Sequence, residues 1–328
     1  MEGFEPNDVD PAEEGHDLPD QAIQETQTGS VDHGRRNFLK GMLGATALLA
    51  VGGQPLAELL REEVLPEDLE RELDAHREKL KGEYGLELDF DPITSANESS
   101  KELSLAERTD FAKDIYDGAQ RYPKSYFNNI GLKAVQGVKW YDNKKGDDPL
   151  VVLGGFYRGA DPEKVVINKE SPMGYVVRDK FGWGNDASVK YIFHHEAYHK
   201  SDEHISHADS FNANWRQESA KLGAPMTPDV RDVFSIRKPG FATSYGDLMP
   251  WEDRAEIAAL LLTDPARAES LAKEEPVLAL KIKEIKEEYK RHSGGMMDET
   301  YWKLLAEGGV SSVKEYFALR KKLAEEKK

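Results

Sequence analysis

The sequence predicts an α+β fold, in which a small β-sheet is followed by a helix carrying a histidine pair and then by a mainly helical C-terminal part. Three observations predict it. Short β-rich runs at Leu132–Trp140, Leu150–Tyr157 and Val165–Asn168 are parted by turn residues, with Gly159-Ala160-Asp161-Pro162 standing between the last two. The stretch Tyr191–Lys200, YIFHHEAYHK, sets His195 and His199 one helical turn apart. From Pro250 onward, charged stretches with spaced apolar residues recur, several of them opened by proline or a capping residue.

In chain order, the first 34 residues hold ten acids and no Lys or Arg, whereas the whole chain of 328 residues carries −17, which leaves −7 for the rest. Residues 1–33 read as an acidic leader with too few large apolar side chains to order itself. Gly34–Lys40, GRRNFLK, matches the twin-arginine export signal, and the Gly- and Ala-rich apolar run that follows to Gly53 is shorter than the ~20 residues that span a bilayer. The expectation is export to the periplasm, cell surface or exterior, with the twin-arginine translocation machinery as a partner and membrane contact only through this segment if it stays uncut. Residues 54–102 read as a helical connecting arm, Pro55–Lys81 being amphipathic helix interrupted at Pro66 that either serves as the arm or packs across the domain.

Ser104-Leu105-Ala106-Glu107 is a capping box that opens a helix ending near Tyr122-Pro123. Gly154-Gly155 marks a bulge or bend in its strand, and Asn185-Asp186 caps the histidine helix. Pro250 with Glu252 and Asp253 behind it opens a helix to Leu262, with Ile257, Leu260, Leu261 and Leu262 inward. Further helices are expected over 265–272, 276–291, 298–307 and 310–325, their Lys/Glu runs on solvated faces. No basic stripe runs along the chain, so nucleic acid is not an expected partner. The chain has no cysteine, which excludes disulfides and thiolate metal sites.

Five of the nine histidines fall within residues 194–207. On a helix, His195 and His199 lie about 6 Å apart along the axis on one face, so both imidazoles can close on one zinc ion at roughly 2.0 Å. Glu196, one step round, can hold a water there and take its proton. This HExxH pattern also occurs by chance in unrelated helices, and two histidines alone do not make a stable site. His204 would lie about 180° round from His195, and His207 about two turns beyond His199. Asp202 stands where a glycine would have to break the helix for a third histidine, and Ile205 where that histidine would be; Asp202 and Asp209 are weaker candidates. His194 points off the ligand face. Glu252 is the better third ligand, because Glu256 lies four residues on along the same helix face and can receive the N–H of a ligand histidine. Taken alone, the two could equally be a surface carboxylate pair.

Tyr245–Glu256, YGDLMPWEDRAE, resembles the corresponding segment of the lethal-factor-like and related zinc-binding metallopeptidases, a gluzincin-type group with a zincin-like catalytic domain. LGGFYRGADPEKVVIN upstream of the histidine helix is similar too, and in that group belongs to a sheet whose edge lies along the peptide substrate. The resemblance covers Leu103–Arg291. It implies a zinc-dependent peptidase with His195, His199 and Glu252 as metal ligands, Glu196 as general base, Glu256 supporting a ligand histidine, and Tyr245 stabilising the oxyanion. The implied cofactor is Zn2+ and the implied partner a peptide or protein substrate. Arg254 departs from the pattern, since a large apolar residue is usual there, which bears on how tightly its helix packs. The domain plan is then a leader (1–33), signal segment (34–53), arm (54–102), catalytic domain (103–291) and C-terminal helices (292–328). Two rivals are a zinc-binding envelope protein without catalysis and a purely structural helical protein.

Overall fold

Proline starts the first described helix. In the computed structural model, which describes residues 65–94, 98–143, 155–157, 163–169, 187–205, a few positions between 215 and 221, 237–247 and 249–326, helix α1 runs Pro66–Lys79. Pro66 occupies the first turn, where its missing N–H costs nothing, and Leu65 before it is extended, so the helix opens at this proline; the expected helix on its other side lies outside the described residues. A π-turn, Leu80–Tyr84, ends at Gly85 in the left-handed region (φ 69°). The acidic leader, the twin-arginine segment, Gly154, the Asn185-Asp186 cap, His207 and Asp209 lie outside the described residues.

The strands are β1 (Glu87–Asp89), β2 (Glu98–Lys101), β3 (Ala134–Asn143), β4 (Gly155–Tyr157) and β5 (Lys164–Asn168). They form a five-stranded sheet with β1, β3 and β5 parallel in the order β1-β3-β5, β4 antiparallel on β5, and β2 antiparallel along the far part of β3. Among the described residues β4 is a sheet edge. Period-2 alternation sends Val135, Val165 and Ile167 into the main core and Val138 and Val166 to the opposite face with Ile93.

Helix α2 (Leu105–Ala119) begins at the capping box: Ser104 Oγ accepts from the Glu107 N–H and the Glu107 carboxylate accepts from the Ser104 N–H at 2.9 Å. Glu107 also pairs with Lys139 of β3 at 2.7 Å, tying helix to sheet. After the short α3 (Tyr126–Ile130) and the sheet come α4 (Ala187–Ile205) and α5 (Pro250–Thr263), which pack chiefly on each other. Helix α4 also meets α2, β4 and β5, and every residue from Tyr191 to Tyr198 is buried. A helix covered on all sides has no polar stripe to reveal it, so its sequence lacks an amphipathic period. At Gly118 an added Cβ would stand 3.0 Å from Phe193, so a glycine in α2 is what lets α4 approach.

The chain ends in α6 (Pro265–Glu274), α7 (Pro276–His292), α8 (Glu299–Ala306) and α9 (Val313–Glu325), close to the expected spans. The whole is mixed α and β, mostly helical with a small sheet, and the described residues belong to one compact unit, Val64–Lys328. Residues 65–101, within the stretch expected as an arm or as a helix packed across the domain, contribute α1, β1 and β2, and Leu73, Leu80, Tyr84, Leu86 and Phe90 lie in the same core as Tyr301, Trp302 and Tyr316 near the other end. The Lys/Glu runs are not all solvated faces: Lys281, Lys286 and Glu288 of α7 are buried, each meeting a partner of opposite charge or a hydroxyl. No described helix is long and apolar enough to cross a membrane.

Candidate metal centre

Helices α4 and α5 run antiparallel, so Tyr191 meets Glu256 while His199 meets Glu252. Tyr191, His195 and His199 are spaced four apart and share one face of α4; Glu252 and Glu256 share the facing side of α5. The turn at 237–247 brings Tyr245 against the same place.

His195 Nε2, His199 Nε2 and Glu252 Oε2 form a triangle. Its sides are 2.9 Å between the imidazoles, 3.1 Å from His195 to Glu252 and 3.3 Å from His199 to Glu252. A tetrahedral ion with bonds of about 2.0–2.1 Å spaces neighbouring donors by roughly 3.3 Å. The three atoms therefore already stand close to the spacing of ligands on one ion, and among the described residues they are the group that could hold a metal. Two nitrogens and one carboxylate oxygen suit a borderline cation such as zinc.

The other nitrogen of His195 faces a carboxylate as well: Nδ1 lies 2.8 Å from Oε1 of Glu256, an ion-pair distance, though off the line of a hydrogen bond. The Glu256 carboxylate is buried, and its Oε2 accepts from the Tyr191 hydroxyl at 2.6 Å and from the Thr243 hydroxyl at 2.5 Å. Such an arrangement sets an anchored carboxylate against one ring nitrogen of His195 while the other belongs to the triangle. Sequence reasoning did not single out Tyr191 or Thr243. Tyr191, one turn before His195 on the same face, had a signal in its spacing; Thr243 had none.

Glu196 is 5 % exposed, and burial pushes its carboxyl up, with the two neighbouring imidazoles pulling the other way. A carboxylate raised in this manner is a better proton acceptor. Burial also drives down the basicity of His195, but contact with Glu252 and Glu256 outweighs it and holds the ring well above the ordinary histidine range. For Glu252, burial acts upward while His199 and His195 act downward more strongly, so the carboxyl stays ionised. Burial, reinforced by Glu252 and Glu196, raises the Tyr245 hydroxyl, which keeps its proton and remains a donor. The Tyr245 ring centroid is 6.1 Å from that of His195.

Arg254, the departure from the pattern, does not loosen α5. It is wholly buried, ion-pairs with Asp202 of α4 and lies 5.8 Å over the Trp215 ring. Asp202 is thereby engaged away from the triangle. His194 is buried too, its Nδ1 2.9 Å from the Tyr122 hydroxyl. His204 lies within α4, one residue before its end.

No protein-family model matches the chain, and no curated protein does. Among solved structures the chain is similar to one described as a "putative zinc-binding metallo-peptidase from Bacteroides caccae ATCC 43185", with 17 % sequence identity and a TM-score of 0.42, over 70 % of this chain and 88 % of that one.

Proposed function

We propose that this protein is a zinc-dependent metallopeptidase of the gluzincin type, with His195, His199 and Glu252 as ligands. The observation that carries the reading is the triangle of donor atoms, 2.9–3.3 Å on a side, built from two helices more than fifty residues apart. Zinc bound there supplies Lewis-acid polarisation of a scissile carbonyl and a water that ionises near neutral pH. Glu196, a buried carboxylate next to His195, would serve as the general base, taking a proton from the attacking water and passing it to the departing amine. Tyr245, a protonated hydroxyl beside the site, donates to the oxygen on which negative charge develops. Glu256, paired in distance with Nδ1 of His195, opposes turning of that ring away from the site. Export by the twin-arginine route is proposed from Arg35-Arg36-Asn37-Phe38-Leu39-Lys40 and the apolar run after it.

The test compares wild type, Glu196→Gln and Glu252→Ala for zinc content and for cleavage of a broad peptide library. Wild type is expected to hold about one zinc per chain and to cleave. Glu196→Gln should keep the zinc and lose on the order of 10³-fold or more in kcat. Glu252→Ala should lose most of its zinc. Unchanged cleavage by Glu196→Gln contradicts the assignment, and full zinc occupancy in Glu252→Ala removes the third ligand from it. Stoichiometric zinc without cleavage of any peptide favours the zinc-binding envelope protein.

A further inference from the structure

Two hydroxyls meet at one oxygen beneath the candidate metal centre. Tyr191 comes from α4, one turn before His195, and Thr243 from the turn that precedes α5; both donate to Oε2 of Glu256, at 2.6 and 2.5 Å. Oε1 of the same carboxylate is left to His195 Nδ1 at 2.8 Å. The terminal torsion of a glutamate is soft and its two oxygens are equivalent, so an unanchored Glu256 would offer the histidine either oxygen in a range of planes. Two donors on a single oxygen remove that freedom. Burial and the adjacent carboxylate raise the Tyr191 hydroxyl well above its ordinary range, so it stays a donor.

Thr243 does a second thing. Its Oγ1 accepts the Gly246 N–H at 3.3 Å, which closes the turn on either side of Tyr245. That turn sits tightly on α5: a Cβ added to Gly246 would stand 3.1 Å from the Asp253 Cα. The same hydroxyl is thus shared between the carboxylate that steadies His195 and the backbone that presents Tyr245.

We propose that Tyr191 and Thr243 are positioning residues that fix His195 through Glu256, and that Thr243 also sets the turn bearing Tyr245 against the same carboxylate. Their relevance to catalysis rests on the metallopeptidase reading; their effect on His195 does not. Neither hydroxyl is itself one of the three donor atoms, so removing either leaves the ligand set intact.

The experiment uses the full chain as wild type, as Tyr191→Phe/Thr243→Val, and as Thr243→Ser, which retains the hydroxyl. Affinity for zinc alone is measured by competition with a chelator at a temperature where circular dichroism shows each protein folded. The double variant should bind zinc about 10–100-fold more weakly, and Thr243→Ser should stay within about threefold of wild type. In the metal-free proteins, labelled at histidine nitrogen, a downfield His195 Nδ1–H resonance should be present in wild type and in Thr243→Ser and lost to solvent exchange in the double variant. A role confined to stability would lower the melting temperature while leaving zinc affinity and the resonance unchanged, and that outcome overturns the proposal. Wild type that binds no zinc would sink the metallopeptidase reading, and the resonance alone would then decide the positioning role.

Discussion

Arg254 carries its charge where no water reaches, and it stays there because Asp202 meets it from the neighbouring helix and the Trp215 ring lies 5.8 Å from its guanidinium carbon. A buried ion pair gains little over a well-packed apolar pair, but breaking it strands a charge. Asp202→Ala is therefore expected to destabilise the fold by about 3–5 kcal/mol. Replacing both residues with apolar side chains of matched volume should recover most of that loss. Urea denaturation of the single and double variants checks it, and a double variant no more stable than Asp202→Ala would refute the argument. The same logic shows why the Arg254 position could not be judged from the sequence. A charged side chain in a helix so rich in Ala and Leu reads as loose packing until its partner, fifty-two positions earlier, is known.

Among the elements, α2 shows how much a short pattern can specify. Ser104 and Glu107 announce the helix start, and the structure has both reciprocal bonds of the cap. Lys139, foremost, together with the cap itself holds the Glu107 carboxyl down to about 2, against the opposing effect of burial. With its folded value depressed, Glu107 stabilises the protein fully above the unfolded value, near 4.3, and progressively less as pH falls towards 2. Glu107→Gln should thus melt below wild type at neutral pH, by up to about 1 kcal/mol, and the gap should narrow between roughly pH 4.5 and 2. Thermal melts across that range measure it; a gap that widened on acidification would have the wrong sign. Strand β1 has a local signal of its own. Leu86-Glu87-Leu88-Asp89-Phe90 alternates apolar and acidic residues, and the structure buries Leu86 and Phe90 while leaving Glu87 exposed. Strand β2, ESSK, carries no apolar alternation and is made a strand by its pairing with β3.

Across the whole molecule, one core joins the first described helix to the last. Tyr301 donates to the Arg121 carbonyl at 2.7 Å, the Val313 N–H donates to the Gln120 carbonyl at 3.1 Å, and Trp302 packs on Tyr289 within a cluster of aromatic rings. The helices after residue 291 are hence part of the fold that supports α4. Trp302→Ala should cost about 3–5 kcal/mol, and denaturation followed by near- and far-ultraviolet dichroism should remain a single transition. A variant that loses the α8–α9 signal first, with the rest intact, would show these helices to be a separable appendage.

What the sequence determined by itself is whatever a local period or a chemical motif encodes. The histidine spacing, the capping box and the proline-headed helices from 250 onward follow from neighbours within a few residues, where 3.6-residue geometry dictates who faces whom. The tertiary structure decided the rest. Bringing Glu252 to within 3.3 Å of both imidazoles, hanging two hydroxyls on Glu256 and burying Lys281 against Asp253 all depend on two helices, a turn and α7 docking together. Such contacts join residues far apart in the chain, and no local period records them, because the free energy that fixes them comes from packing and paired charges shared between elements.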